Sequence, residues 1–237
     1  MPAQTSLVTG ANRGLGLEFV RQLLARGDRV VATCRHPGKA TALNPLAGDY
    51  PGRLHVLPLD VADPRAIAEL LRELLLLGDD SADDRIDLLV NSAGVLHTGE
   101  RFGSVTAANL DDSFRTNAMG PFLLTQALAS RLADGARVAN ISSELGSIGG
   151  LTHFGTPSYN ISKAAQNMTT TLLASALHRR DITVVALHPG WVQTDMGGAG
   201  ATLTTQESVA GLLRVISALT LSQSGKFLDW RGEGMPW

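Results

Sequence analysis

The chain has 237 residues, 44% of them apolar and 18% charged, a balance able to bury a sizeable core and ordinary for a soluble globular protein. Its net charge of −2 leaves no basic surface for nucleic acid or an acidic membrane, and its one cysteine, Cys34, rules out an intrachain disulfide and fits a reducing cytoplasm. No apolar run is long enough to span a bilayer, Met1 to Thr5 lead directly into a first strand, and no linker composition interrupts the chain, so one cytoplasmic domain over residues 1–237 is expected.

Ser6 to Thr9 form a short apolar strand ending in Gly10-Ala11-Asn12-Arg13-Gly14-Leu15-Gly16, after which Leu17, Val20, Leu23 and Leu24 recur at helical spacing. Strand, glycine turn and helix are what a pyrophosphate needs: glycines let the backbone approach closely, and the helix N-terminus offers unpaired N–H groups. Arg29 to Cys34 is a second strand. An acidic residue about 20 positions past the glycines would hold the adenosine ribose hydroxyls, but Cys34 and Arg35 stand there. Arg35 with Arg13 offers charge-assisted bonds to a 2′-phosphate, so NADP(H) is expected ahead of NAD(H).

Arg53 to Leu59 is a third strand, closed by Asp60-Val61, and Pro64 opens a helix to about Leu77. Residues 78–85 are polar and acidic, a surface loop. Ile86 to Val90, a fourth strand, ends in Asn91-Ser92-Ala93-Gly94. One long helix is expected from about Leu110 to Leu132, carrying Asn117 and bending at Gly120-Pro121. Arg137 to Ile141 is a fifth strand with Ser142 and Ser143 at its carboxyl end. Pro157 can start a helix to about His178. Ile182 to His188 is a sixth strand, followed by Pro189-Gly190-Trp191-Val192-Gln193-Thr194-Asp195-Met196; a helix near Thr205 to Ala218 and a short strand near Lys226 to Leu228 complete the pattern.

Alternating strands and helices, the strands short and nearly all apolar, imply a single-domain, Rossmann-like, doubly wound parallel sheet of about seven strands with helices on both faces. The Gly10 turn, Asn91, Ser143 and Pro189 would then share one crevice at the carboxyl ends of the strands. Tyr159 and Lys163 are four apart, on one face of their helix. A tyrosine active near pH 7 needs a shift of about 3 units, roughly 4 kcal/mol. A lysine ammonium about 5 Å away supplies roughly 3 kcal/mol at an effective dielectric near 20.

Taken in order, Thr9 to Gly16, the Leu-Asp-Val step at Asp60, Asn91 to Gly94, Asn117, Ser143, Tyr159 with Lys163, and Pro189 to Thr194 give the chain a close resemblance to the short-chain dehydrogenase/reductase family along nearly its whole length. The long gap from Ser143 to Tyr159, the His188 to Gly198 run and the tail from Asp229 to Trp237 look like its C-factor and sniffer-type carbonyl reductase branch. The resemblance implies that Tyr159 protonates a carbonyl oxygen while NADPH delivers hydride. Lys163 would lower the tyrosine pKa and hold the nicotinamide ribose, Ser143 would hydrogen-bond the carbonyl, and Asn117 would position a water joining Lys163 to solvent. Cofactor contacts would fall to Gly10, Asn12, Arg13, Gly14, Leu15, Gly16, Arg35, Asp60, Val61, Asn91, Ala93, Gly94, Pro189, Val192 and Thr194, besides Tyr159 and Lys163. No metal is expected.

Ser142 or Ser147 could replace Ser143 as the carbonyl ligand, since the loop between serine and tyrosine is long. His153, Phe154, Trp191 and Met196 are candidates for the substrate pocket. The partner expected is a small carbonyl compound, an aldehyde, ketone or quinone, and the resemblance implies a homodimer or homotetramer formed through the helices around Asn117 and Tyr159. Two other functions remain open: a dinucleotide-binding signalling protein of the C-factor kind, and alcohol oxidation with NAD.

Overall fold

The computed structural model describes residues 4–77 and 85–237; the acidic loop read from the sequence falls, but for Arg85, outside them. Seven strands are present: β1 (Thr5–Thr9), β2 (Arg29–Cys34), β3 (Leu54–Pro58), β4 (Ile86–Asn91), β5 (Leu132–Ile141), β6 (Thr183–His188) and β7 (Phe227–Asp229). They form one sheet in the order β3-β2-β1-β4-β5-β6-β7, with every neighbouring pair parallel. Parallel strands buried on both faces need apolar side chains at successive positions, and Leu7, Val8, Leu88, Leu89, Val90, Val184 and Val185 are all buried.

The helices are α1 (Gly14–Arg26), α2 (Asn44–Asp49), α3 (Pro64–Leu77), α4 (Ala107–Phe114), α5 (Gly120–Leu128), α6 (Pro157–Leu177) and α7 (Thr205–Ala218). Helices α1 and α7 bury Phe19, Leu23, Leu212 and Ile216 in a core on one face of the sheet. Helices α3, α5 and α6 bury Leu70, Leu124, Leu128 and Leu173 in a core on the other. The chain crosses between faces where β1 and β4 lie side by side, and that switch point opens a crevice at their carboxyl ends.

Two expected elements differ. Instead of one helix from Leu110 to Leu132, α4 starts at Ala107 under a Thr106 cap whose hydroxyl accepts from Asn109 N. It then passes through a π turn at Arg115–Met119 into α5, which ends at Leu128. The wide turn takes up the irregularity expected as a bend at Gly120-Pro121. Gly120 itself is needed for contact, because a Cβ there would lie 2.6 Å from Val61 O. Strand β5 begins at Leu132, five residues before Arg137, because the register slips: Ile86 pairs with Leu132 and Leu88 with Arg137. The extra residues carry an exposed Asp134 and Gly135 at φ +77°, which hide the strand's start from an apolar pattern. Helix α2 is too short to give a period.

Candidate active site

The glycine turn is shaped by close approaches. Gly10 has φ +64°, and a Cβ on it would lie 2.7 Å from Ala93 Cα; a Cβ on Gly16 would sit against Gly10 O. Thr9, at the end of β1, fastens this turn to β4 by accepting hydrogen bonds from Ser92 N and Ala93 N, both at 3.0 Å. Helix α1 starts at Gly14 with no side-chain cap and no acidic residue in its first turn, so its N–H groups and dipole face the crevice without a competing anion. That cradle fits a dinucleotide pyrophosphate. Asn12 and Arg13 are exposed on the turn, and Arg35 is exposed just past β2. Arg13 forms a 2.9 Å ion pair with Asp195 across the crevice mouth, and Gly14 abuts Thr194.

Asn91 ends β4 at the crevice, and its side chain is turned inward. It is buried, and its Nδ2 donates to Asn140 Oδ1 at 2.8 Å; Asn140 Nδ2 donates in turn to Thr170 Oγ1 at 2.9 Å. Only the backbone of Asn91 can face a ligand. Asp60 accepts from Ala62 N at 3.0 Å, which caps the turn that holds Val61 against Gly120.

Helix α6 delivers Tyr159 and Lys163, both buried. Lys163 Nζ donates to Ile141 O at 2.7 Å and to Gln166 Oε1 at 2.9 Å, and lies 5.5 Å from the centre of the Tyr159 ring. Gly94 faces it, with room for a Cβ only 4.0 Å from Nζ. Ser143 lies beside the Tyr159 phenol and accepts from Leu145 N at 3.2 Å, capping the short turn Glu144–Gly146. Gly146 packs directly on the Lys163 backbone.

The other two serines are engaged elsewhere: Ser142 donates to Asn167 Oδ1 at 2.6 Å and Ser147 accepts from Gly150 N at 2.9 Å. Of the three, Ser143 is therefore the one beside the phenol. Asn117 sits in the π turn, where its side chain exchanges hydrogen bonds with Val95 N and O (2.8 and 2.9 Å) and donates to Ser162 Oγ.

Electrostatics here depart from the sequence expectation. Burial pushes the Tyr159 phenol up to about 12, more than the nearby Ser143 hydroxyl offsets, and burial pushes Lys163 down to about 7. Desolvation governs both groups; in the protein alone the lysine does not acidify the phenol. The lysine shift sets a pH dependence of stability. Between about 7 and the ordinary lysine value near 10.4, the unfolded chain holds a proton that the folded chain lacks, so stability rises with pH across that window. Above about 10 the raised phenol reverses the trend, because the unfolded tyrosine ionises first. Urea unfolding at pH 7, 8 and 9 should show roughly 2 kcal/mol of this rise, and Lys163→Met should flatten it. Parallel curves for the two proteins would contradict the burial argument.

Around the N-terminus of α6 lie residues that no spacing reveals. Glu100 accepts from Ser158 N and Oγ at 3.1 and 2.7 Å, holding the first turn of α6. Phe102, 90% exposed, meets Phe154 edge-on with centroids 5.8 Å apart, joining the loop after β4 to the loop after β5. Thr156, just before Pro157, has φ +40°, an uncommon conformation for a β-branched residue. Trp237 stacks on Phe227, and its carbonyl accepts from Gly149 N at 2.6 Å, so the tail braces the Ser143–Tyr159 loop. His153 is exposed and contacts Thr152; Trp191 and Met196 are exposed in the loop after β6, with the indole N–H donated to Gly197 O.

This arrangement has known counterparts. A family model described as short chain dehydrogenase matches residues 4–202. C-signal of Myxococcus xanthus is 43% identical over 154 residues, which cover 64% of this chain and 93% of that protein. A crystal structure of NADPH-bound carbonyl reductase from chicken fatty liver superposes with a TM-score of 0.93 at 38% identity, covering all of both chains. The carbonyl reductase Sniffer of D. melanogaster does so with a TM-score of 0.93 at 33% identity, covering 99% of this chain and 100% of its own. With the glycine turn, the Ser143 edge and the Tyr159–Lys163 helix all falling inside the matched residues, the chain belongs to the short chain dehydrogenase family and is an oxidoreductase of that kind.

Proposed function

We propose that the protein is an NADPH-dependent carbonyl reductase that converts an aldehyde, ketone or quinone to the alcohol, with Tyr159 as general acid. The observation that carries this reading is a buried phenol beside Ser143, one helical turn from the buried Lys163, at the strand ends that open onto the glycine cradle. Two structural relatives point the same way: the chicken protein is a carbonyl reductase with NADPH bound, and the fly protein is a carbonyl reductase. Gly10, Asn12, Gly14, Leu15 and Gly16 would hold the pyrophosphate, Arg13 and Arg35 the 2′-phosphate, and Asp60 and Val61 the adenine. Ala93, Gly94 and Lys163 would hold the nicotinamide ribose, and Pro189, Val192 and Thr194 the carboxamide. The dinucleotide, when bound, supplies the hydride.

Ser143 donates to the carbonyl oxygen, and Tyr159 Oη gives that oxygen its proton as the carbon takes the hydride. A phenol pushed up to about 12 is fully protonated at neutral pH. An alkoxide is a far stronger base than a phenolate, so transfer from tyrosine remains downhill. The oxidative direction would start from the phenolate, the form that burial disfavours in the protein alone. Asn117 would position the water that reprotonates the site through its backbone carbonyl, since its side chain is engaged with Val95 and Ser162.

Binding and chemistry would share one unit spanning residues 1–237, in the cytoplasm. Ile161, Met168 and Leu172 on α6 and Phe114 on α4 are exposed and apolar, which supports association of copies through these helices. Purified protein should consume NADPH with some member of a panel of aldehydes, ketones and quinones; a protein that binds NADPH yet reduces none of them would refute the assignment. The match to C-signal keeps a signalling role in view. Tyr159→Phe separates the two, because a biological effect that survives it cannot depend on the chemistry.

A further inference from the structure

Behind Lys163, one turn further along α6, stands Gln166, whose side chain is wholly buried. Burying a primary amide costs free energy unless its polar atoms are bonded. Here Oε1 accepts from Lys163 Nζ, while Nε2 has no hydrogen-bond partner among the described residues. An apolar side chain of the same length would avoid that cost. The amide must therefore be offset by what it does for the lysine, or by an internal water reaching Nε2.

The count of donors on Lys163 says what that is. An ammonium has three N–H donors and an amine two. Ile141 O and Gln166 Oε1 take two of them. As an ammonium, Lys163 has one donor left for the side facing Gly94; as an amine, it presents a lone pair there. Since burial brings the two forms close to balance at neutral pH, one more acceptor decides which the crevice meets.

We infer that Gln166 is a positioning residue for Lys163: its carbonyl holds Nζ at the end of β5 and favours the ammonium, keeping one donor aimed at the Gly94 side of the crevice. The inference rests on the role proposed for Lys163 but is read separately from it. The ionisable groups on the elements packed around Lys163 are Tyr159 on α6, Glu144 after β5, His188 at the end of β6, and Asp134 and Arg137 toward the far end of β5, where Asp134 pairs with Arg180 and Arg137 donates to Ser217 O. Those on α4 and the π turn, Asp111, Asp112 and Arg115, pair at the surface with one another or with His97. None of them bonds Nζ among the described residues, so the charge is held by neutral carbonyls alone.

The chain has three lysines, and Lys39 and Lys226 are exposed, so heteronuclear NMR of the lysine side chains in the ligand-free protein resolves the buried one. Gln166→Leu should lower the Lys163 midpoint by about one pH unit or more, the tenfold effect of losing a charge-assisted hydrogen bond. Gln166→Glu, nearly isosteric, should raise it and restore the third donor. A midpoint that stays put in Gln166→Leu while thermal stability falls would make Gln166 a packing residue and overturn the inference. So would a Gln166→Glu midpoint that fails to rise, which covers the case of a leucine variant that does not fold. If the midpoint moves and the pH profile of NADPH oxidation does not, the inference stands and the role proposed for Lys163 fails.

Discussion

Tyr159→Phe should lower kcat/KM for carbonyl reduction by on the order of a thousandfold, the middle of the range for removing a positioned general acid, and leave NADPH affinity nearly unchanged. The separation follows from geometry. The ring is buried and packed while the hydroxyl meets Ser143, so phenylalanine keeps the packing and deletes only the proton donor. The glycine cradle, built from Gly10, Gly14 and Gly16, is untouched. Ser143→Ala should cost less, about ten- to a hundredfold, because it removes one neutral donor to the carbonyl oxygen and leaves the acid in place. Steady-state NADPH oxidation and fluorescence titration of the dinucleotide read the two quantities apart. A Tyr159→Phe protein with more than about a tenth of the parent rate would remove tyrosine from the chemistry.

The parts of this site that the sequence makes legible are local ones. The glycine turn follows a strand and opens a helix within a dozen residues, and Tyr159 and Lys163 share a helix face by spacing alone. Ser143 can be put forward because it comes directly off β5, and that Ser142 and Ser147 are engaged elsewhere shows only in partners far along the chain or across a loop. What stays hidden is long-range or energetic. The Arg13–Asp195 pair joins residues 182 apart, and Phe102 meets Phe154 across two irregular loops that have no period. Coulomb's law applied to a four-residue spacing anticipates the lysine's proximity to the phenol, yet it leaves out the cost of burying both groups, which the whole pocket sets. Gln166 illustrates the same limit. On α6 it reads as an unremarkable helix former, and only the packed structure shows an amide enclosed against the lysine.

Replacing Arg13 and Arg35 together with alanine should weaken NADPH binding by on the order of a thousandfold while changing NADH binding little, since each arginine would give charge-assisted bonds to the 2′-phosphate that NADH lacks. Arg35 has no ion-pair partner among the described residues and is available at once. Arg13 is not, because Asp195 holds it at 2.9 Å. Both members of that pair are well exposed, at 67% and 78%, and an exposed pair of this kind is worth little in water. A phosphate carrying nearly two charges should therefore take Arg13 from the carboxylate at small cost. Asp195→Asn, which frees Arg13 and removes a negative charge from the mouth, should tighten NADPH severalfold and leave NADH almost where it was. The gain should fade with added salt, as exposed charge effects do beyond a Debye length of about 8 Å at physiological ionic strength. Titrations of both dinucleotides against the parent, the double arginine variant and the Asp195 variant decide the matter. Equal loss of NADPH and NADH in the double variant would mean that these arginines hold the pyrophosphate or the fold, and the preference for NADP(H) would need another source.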